Sequence, residues 1–312
     1  MSIQVLVPGM LTTVQDLGRE GFGPMGVSAS GAADAIALRI GNKLVGNPDA
    51  AAGLEMTLLG GSFLFMEAAV VALAGSEFGA MLEGVPVPQW RSVAVRAGET
   101  LRLGPTQSGA RCYLCVRGGI AVALFMESAS THLMSGLGGF EGRSLRKGDV
   151  LAIGEAEPLF RKRTIAEGGL RRLLPRRVLG VTAGLQSDRF PESSRESFFG
   201  GAYRVREDSN RMGLRLEGAA APASAGGEMI TEGISLGAVQ VPESGQPILS
   251  FVEQQTTGGY PVIANVISAD FSSVGQLRPR DEVRFQLVGL EEARQRVLEQ
   301  EALLASEGLI LG

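Results

Sequence analysis

The chain has 312 residues, a net charge of −4 and 20% charged residues. That balance argues against a dedicated nucleic-acid binder, which needs a basic surface. Its length favours two domains, and its 45% hydrophobic content supplies a large core.

The first segment of note is Leu11-Thr12-Thr13-Val14-Gln15-Asp16-Leu17-Gly18-Arg19. It offers an amide, a carboxylate and a cation within five residues. After Ser30-Gly31, Ala33, Ile36, Ala37, Ile40 and Leu44 recur at helical spacing. Ser30 is the expected N-cap, with Asp34 in the first turn where negative charge suits the helix dipole. Gly46-Asn47-Pro48 ends that helix.

Short strands follow, separated by turn residues: 69–74, 80–82, 92–96, 100–103, 111–117 and 150–153. Glu83-Gly84 reads as a hairpin turn. Cys112 and Cys115 sit in one of these runs, and residues three apart on a strand face opposite sides. They are therefore core residues rather than a redox or zinc pair. His132 is the only histidine, so a multi-histidine metal site and a serine triad are poorly supplied, and no metal site is expected. Gly136-Leu137-Gly138-Gly139 lacks the spacing of a dinucleotide loop.

The stretch 155–177 carries Arg161, Lys162, Arg163, Arg171, Arg172, Arg176 and Arg177 and reads as a solvated connector. The expected division is an N-terminal domain over 1–156, a basic connector over 157–176 and a C-terminal domain over 177–312. Further strands are expected at 177–181, 238–241, 248–252, 262–266 and 283–288, with a small-residue loop at 218–228 and a surface helix near 290–306. Many strands and few helices make the chain mainly β.

Two more polar segments stand between strands in this half. One is Asp208-Ser209-Asn210-Arg211-Met212-Gly213. The other is Glu253 with Gln254-Gln255-Thr256-Thr257-Gly258-Gly259-Tyr260-Pro261. Arginine suits bidentate recognition of carboxylate or phosphate. Threonine hydroxyls and glycine N–H groups can hold a small polar ligand or a developing oxyanion. Each segment alone is ordinary turn chemistry; three of them point to a shared polar pocket. No membrane-length apolar run occurs, the longest being Ala68 to Gly75. The start lacks the basic region of a signal peptide, so a bacterial-type cytoplasmic location is the default.

These segments resemble the family of 5-oxoprolinase C subunits, also called allophanate hydrolase subunit 2, the Kip-type anti-inhibitor or the biotin-dependent carboxyltransferase-like family. The likeness runs through Thr12–Arg19, Ser30-Gly31-Ala32, Leu44–Asn47, Leu54-Glu55, Ser130-Thr131, Gly136–Gly139, Asn210–Gly213, Thr231–Ile234, Gln240-Val241-Pro242, Gln255–Pro261 and Gln276–Pro279. The resemblance implies cyclophilin-like β-barrel domains with few short helices. It also implies a heteromeric complex with the 5-oxoprolinase B subunit, of related cyclophilin-like fold, and with the A subunit.

The implied reaction is ATP-dependent opening of 5-oxo-L-proline to L-glutamate, with ATP and its magnesium shared with the partner. Under that reading Glu253, Thr257 and Asp16 are the catalytic candidates. Gln15, Arg19, Asn210, Arg211, Gln255, Thr256, Gly258, Gly259 and Tyr260 are the substrate-binding candidates. One alternative is the carboxyltransferase component of a biotin-dependent carboxylase acting on urea or a related amide. Another is a non-catalytic module that sequesters a kinase-inhibitor partner of the B-subunit type. Three positions depart from the family pattern: Glu253-Gln254 replaces Asp-Arg before the loop, Val262 replaces a Lys after Tyr-Pro, and Ala129 replaces an Arg before Ser-Thr.

Overall fold

The computed structural model describes residues 1–156, 160–224 and 229–312. Two compact units emerge. The first comprises Met1–Arg19, Ser30–Leu174 and Leu303–Gly312; the second comprises Glu20–Ala29 and Pro175–Ala302.

The first unit is a sandwich. Its seven-stranded sheet runs Ile120–Ala121, Val150–Ile153, Ser2–Val7, Ser62–Phe65, Thr100–Arg102, Met81–Leu82 and Val85–Pro86. Its five-stranded sheet runs Leu11–Gln15, Gly53–Thr57, Arg111–Val116, Ala69–Gly75 and Ser92–Val95. The inner faces share one core, in which Ile3, Phe63, Leu101 and Leu151 from the first sheet meet Val14, Leu54, Leu73 and Leu114 from the second. The Glu83-Gly84 turn joins its two short strands as expected.

Helix Ala35–Val45 covers the outer face of the five-stranded sheet. Ile36, Ile40 and Leu44 join Ala72, Ala74 and Tyr113 there. Strand Arg111–Val116 is buried on both faces, so Cys112 belongs to the sandwich core and Cys115 to the helix layer. Both thiols are free, and burial pushes their pKa well above the usual thiol range. The helix cap differs from the expectation. Asp34, not Ser30, is the N-cap, and its carboxylate accepts from Ala37 N at 2.9 Å. Ser30 lies at φ 56° and donates its hydroxyl to Thr131 O at 2.7 Å. The left-handed turn places Ser30 too early to cap. Glu55 also fixes the helix entry, accepting from Ala33 N at 2.8 Å and Tyr113 OH at 2.6 Å.

The segment expected as a bare basic connector is partly ordered. Thr164–Ile165 pairs with Ile310–Leu311, and Glu167–Leu173 forms a helix that buries Leu173. Apolar residues alternating with the arginines give it one face to bury. Residues 157–159, inside that connector, lie outside the described residues, as do 225–228 of the small-residue loop.

The second unit is a closed barrel of Val178–Ala183, Val262–Val266, Ala238–Gln240, Ile248–Ser250, Gly213–Glu217, Tyr203–Val205 and Glu282–Leu287. Closure is the parallel pairing of Val178–Val181 with Arg284–Leu287. Helix Glu192–Gly200 plugs it with Phe198, which stacks on Phe285 at 4.7 Å between centroids. Ala293 and Val297 of helix Leu290–Ala305 pack on Ile267, Ala269 and Val288. No helix among the described residues is long and apolar enough to cross a membrane.

Candidate functional site

In the first unit, Gln15, Asp16 and Arg19 converge on residues 128–131. Asp16 is buried, and its Oδ1 accepts from Gly18 N at 2.8 Å, Ser128 Oγ at 2.7 Å and Ser130 Oγ at 2.5 Å. Its Oδ2 accepts from Ala129 N at 2.6 Å. Gln15 is fully buried and donates through Nε2 to Thr13 Oγ1 at 3.0 Å and Thr131 O at 3.1 Å. Arg19 is 2% exposed, bonds the carbonyls of Ser130 and Phe125, and lies over the Phe125 ring. Gly139 makes the packing possible: a Cβ there would fall 1.9 Å from Thr131 Oγ1. Ser128, Ser130 and Thr131 are the partners that sequence spacing hides, since they lie more than a hundred residues from Asp16. Only the Ser130-Thr131 motif hinted at them.

In the second unit, Arg211 Nε donates to Glu253 Oε1 at 2.5 Å, with the two side chains 5% and 0% exposed. The backbone zips the same segments together, Glu253 N to Arg211 O at 2.8 Å and Phe251 N to Met212 O at 3.0 Å. Asn210 is exposed, and its Oδ1 closes a turn by accepting from Met212 N at 2.9 Å and Gly213 N at 3.3 Å.

Beyond Glu253 the chain surfaces. Thr257–Gly258 forms a two-stranded ribbon with Glu232–Gly233, and Ile234 N donates to Thr256 O at 2.9 Å. Gln255, Thr257, Gly259 and Tyr260 are exposed, and Thr256 is half-buried. Gly258 is crowded from inside: a Cβ there would meet Ile234 Cδ1 at 2.1 Å and Gln240 Oε1 at 2.9 Å.

A small cleft of about 40 Å³ opens beside this ribbon, lined by Gln186, Glu232, Ser235, Gly258, Tyr260 and Asn265 among others. Gln186 donates to Glu232 Oε2 at 2.9 Å and accepts from Val262 N at 3.2 Å. Ser235 Oγ donates to Asn265 Oδ1 at 3.3 Å. Among the described residues its lining holds one acid, Glu232, and no lysine or arginine. That composition suits a small neutral amide and does not suit a polyphosphate. Gln186 and Asn265 are isolated amides in the sequence and carry no motif.

Neither arginine of the candidate set stands open. Arg19 bonds main-chain carbonyls and Arg211 pairs with Glu253. The candidate residues also divide between the two units, Gln15, Asp16 and Arg19 in the first, Asn210, Arg211, Glu253 and 255–260 in the second. No group of acids, histidines or cysteines that could hold a metal occurs among the described residues.

Residues 25–287 match the family described as carboxyltransferase domain, subdomain A and B. The chain is 39% identical to the C subunit of 5-oxoprolinase from Escherichia coli over 96% of its own length and 97% of that protein. It is 35% identical to the C subunit of 5-oxoprolinase from Haemophilus influenzae over 93% of each. The crystal structure of Kluyveromyces lactis urea amidolyase superposes with a TM-score of 0.91 at 31% identity, over 99% of this chain and 21% of that one.

Proposed function

The chain belongs to the carboxyltransferase domain family, subdomain A and B, and from that premise we propose that it serves as the C subunit of an ATP-dependent 5-oxoprolinase. With the A and B subunits it would convert 5-oxo-L-proline to L-glutamate. One observation carries the reading: the 39% identity to a 5-oxoprolinase C subunit spans nearly the whole of both chains. The match to urea amidolyase, in contrast, spans about a fifth of that protein.

A lactam carbonyl is a poor electrophile. ATP supplies a phosphoryl group that makes the lactam oxygen a leaving group. The residues of this chain suited to the lactam are those of the exposed ribbon. Gly258 and Tyr260 line the cleft together with the Gln186 and Asn265 amides, and Thr256 and Thr257 directly precede Gly258 in the chain. Behind them the buried Arg211–Glu253 pair holds the start of the loop. A misplacement of about 1 Å at a reacting centre can cost ~10²-fold in rate, so this support bears directly on turnover. No step of the nucleotide is assigned to this cleft, whose lining lacks cations among the described residues.

That same lack favours one second reading, transfer of a carboxyl group to urea or a related neutral amide. 5-Oxoproline carries a carboxylate that a cation would normally meet; urea carries none. The test is reconstitution with separately produced A and B subunits, measuring glutamate from 5-oxoproline with and without ATP. Absence of ATP-dependent glutamate removes the leading reading. Carboxylation of urea in a mixture with a biotin carboxylase and a biotinylated carrier would install the second. Thr257→Val should lower turnover while leaving assembly with the partners intact, and unchanged kinetics would take Thr257 out of the site.

A further inference from the structure

The first unit has a larger cleft, of about 860 Å³, at the C-terminal end of helix Ala35–Val45. Lys43, Arg117, Arg161 and Arg163 line it, against the carboxylates of Asp49 and Glu307. Asp49 is already engaged, 2.8 Å from Lys43 and 3.1 Å from Arg39. Among the described residues of the lining, Arg161 and Arg163 stand without a side-chain carboxylate at ion-pair distance, in a chain whose net charge is −4.

The helix end explains part of this gathering. Arg117 Nη1 donates to Val45 O at 2.9 Å and Arg163 Nη1 to Lys43 O at 2.7 Å. The last carbonyls of a helix lack partners and form the negative end of its dipole. The Arg163 bond uses one nitrogen of a guanidinium that carries five N–H donors. Capping therefore sets where Arg117 and Arg163 sit, and it leaves donors of Arg163 over for a further acceptor. Arg161 is exposed and stands at the mouth of the same cleft, and no ion pair to Arg161 or Arg163 occurs among the described residues.

Gly46 lets the guanidinium groups converge. A Cβ at Gly46 would lie 2.7 Å from Arg117 Nη1 and 3.3 Å from Arg163 Nη1. Phe160 packs under Arg117, with 5.0 Å from the guanidinium carbon to the ring centroid, which turns one side of the cleft apolar. Like charges in a walled cleft focus the field and concentrate anions. The planar guanidinium fork matches phosphate oxygens two at a time.

We infer that this cleft binds a phosphate-bearing anion, held by Arg161 and Arg163 above Gly46. The inference holds whether or not the chain acts on 5-oxoproline, because its test reads binding to the isolated full-length chain and not turnover. Calorimetric titration at low ionic strength uses inorganic phosphate, pyrophosphate and ATP as separate probes. Pyrophosphate and ATP should bind more tightly than phosphate, and raised salt should weaken all three. Equal affinity for pyrophosphate and ATP means that the phosphate chain alone is read; a clear gain for ATP means a nucleotide is.

Arg161→Ala, at an exposed position, should weaken pyrophosphate binding roughly tenfold, the loss of one charge-assisted contact. Its melting temperature should match the unmodified chain. Arg161→Lys, which keeps the charge and loses the fork, should fall between the two. The inference is overturned if no probe binds at millimolar concentration. It is equally overturned if pyrophosphate and ATP bind with affinities unchanged in both Arg161→Ala and Arg163→Gln.

Discussion

Asp16→Asn separates a chemical role from a structural one. The Asp16 carboxylate takes three donors on Oδ1 and one on Oδ2, at 2.5–2.8 Å. Asparagine keeps one oxygen. The cheaper orientation leaves that oxygen on the side of Gly18, Ser128 and Ser130 and turns the NH₂ towards Ala129 N–H, donor against donor. A buried donor without an acceptor costs ~1–3 kcal/mol. The three remaining bonds lose their charge assistance, about 1 kcal/mol each. The smaller desolvation cost of a neutral amide offsets part of that sum. The net expectation is a loss of about 2–4 kcal/mol, or roughly 5–15 °C in melting temperature for a unit of this size. The single tryptophan, Trp90, lies in the same unit, so its fluorescence through a urea titration reads this transition. Should the Asn variant unfold within ~0.5 kcal/mol of the unmodified chain while turnover of the reconstituted complex vanishes, the carboxylate acts in chemistry and the structural argument fails.

Three further outcomes are expected. Asp270 is buried, accepts from Gly180 N at 2.7 Å, and has its pKa raised above 3.8 chiefly by burial, against the opposing pull of that N–H and of Arg176. Its stabilising contribution is therefore complete below the unfolded value and fades as pH rises through the folded one. Denaturation of Asp270→Asn and the unmodified chain from pH 3.5 upward, about the ordinary carboxylate range, should show the variant gaining relative stability with pH; a flat difference contradicts this. Gly258→Ala should cost about 1 kcal/mol or less, because the atoms it meets are the movable ends of Ile234 and Gln240, and a loss of several kcal/mol would show that those side chains are held in place. Cys112 and Cys115, fully buried with raised pKa values, should resist a thiol reagent until the chain unfolds; prompt labelling of the folded protein would refute their placement on the two faces of one strand.

Local pattern made much of this fold readable. Helix Ala35–Val45 was legible because its apolar residues repeat at 3.6 spacing and all face one sheet. Helices Glu167–Leu173 and Glu192–Gly200 were not, since among their described residues the first buries only Leu173 and the second only Ser194 and Phe198. Each is fixed by one anchor in a distant core rather than by a stripe. The N-cap differs from the sequence expectation for a similar reason. Ser30 has the right chemistry for a cap, but its hydroxyl is drawn to Thr131, more than a hundred residues away. The closed barrel depends on the parallel pairing of Val178–Val181 with Arg284–Leu287, again a contact without local trace. Of the site, the polar residue types were visible, while the partners that decide what those residues can do were not.

The geometry redistributes the chemistry among those residues. Asp16 and Glu253 are the two carboxylates that sequence reasoning favours for catalysis, yet both are buried and engaged, one by four hydrogen-bond donors and the other by an arginine. A general base must offer a lone pair to the proton it takes; Asp16 Oδ1 already accepts three bonds, and the Glu253 carboxylate is buried against the Arg211 guanidinium. Both carboxylates instead sit directly before or behind a surface loop and fix its backbone. The exposed groups downstream of Glu253 are Thr257 and Tyr260, with Thr256 half-buried, and of these Tyr260 lines the cleft that also holds Gln186 and Asn265. On this argument the Glu253-Gln254 lead-in alters where the loop stands rather than what it donates. Glu253→Asp should therefore shift KM and kcat together through loop position, with Thr257 still required in the shortened variant. A kcat abolished with KM unchanged would return Glu253 to the reaction itself.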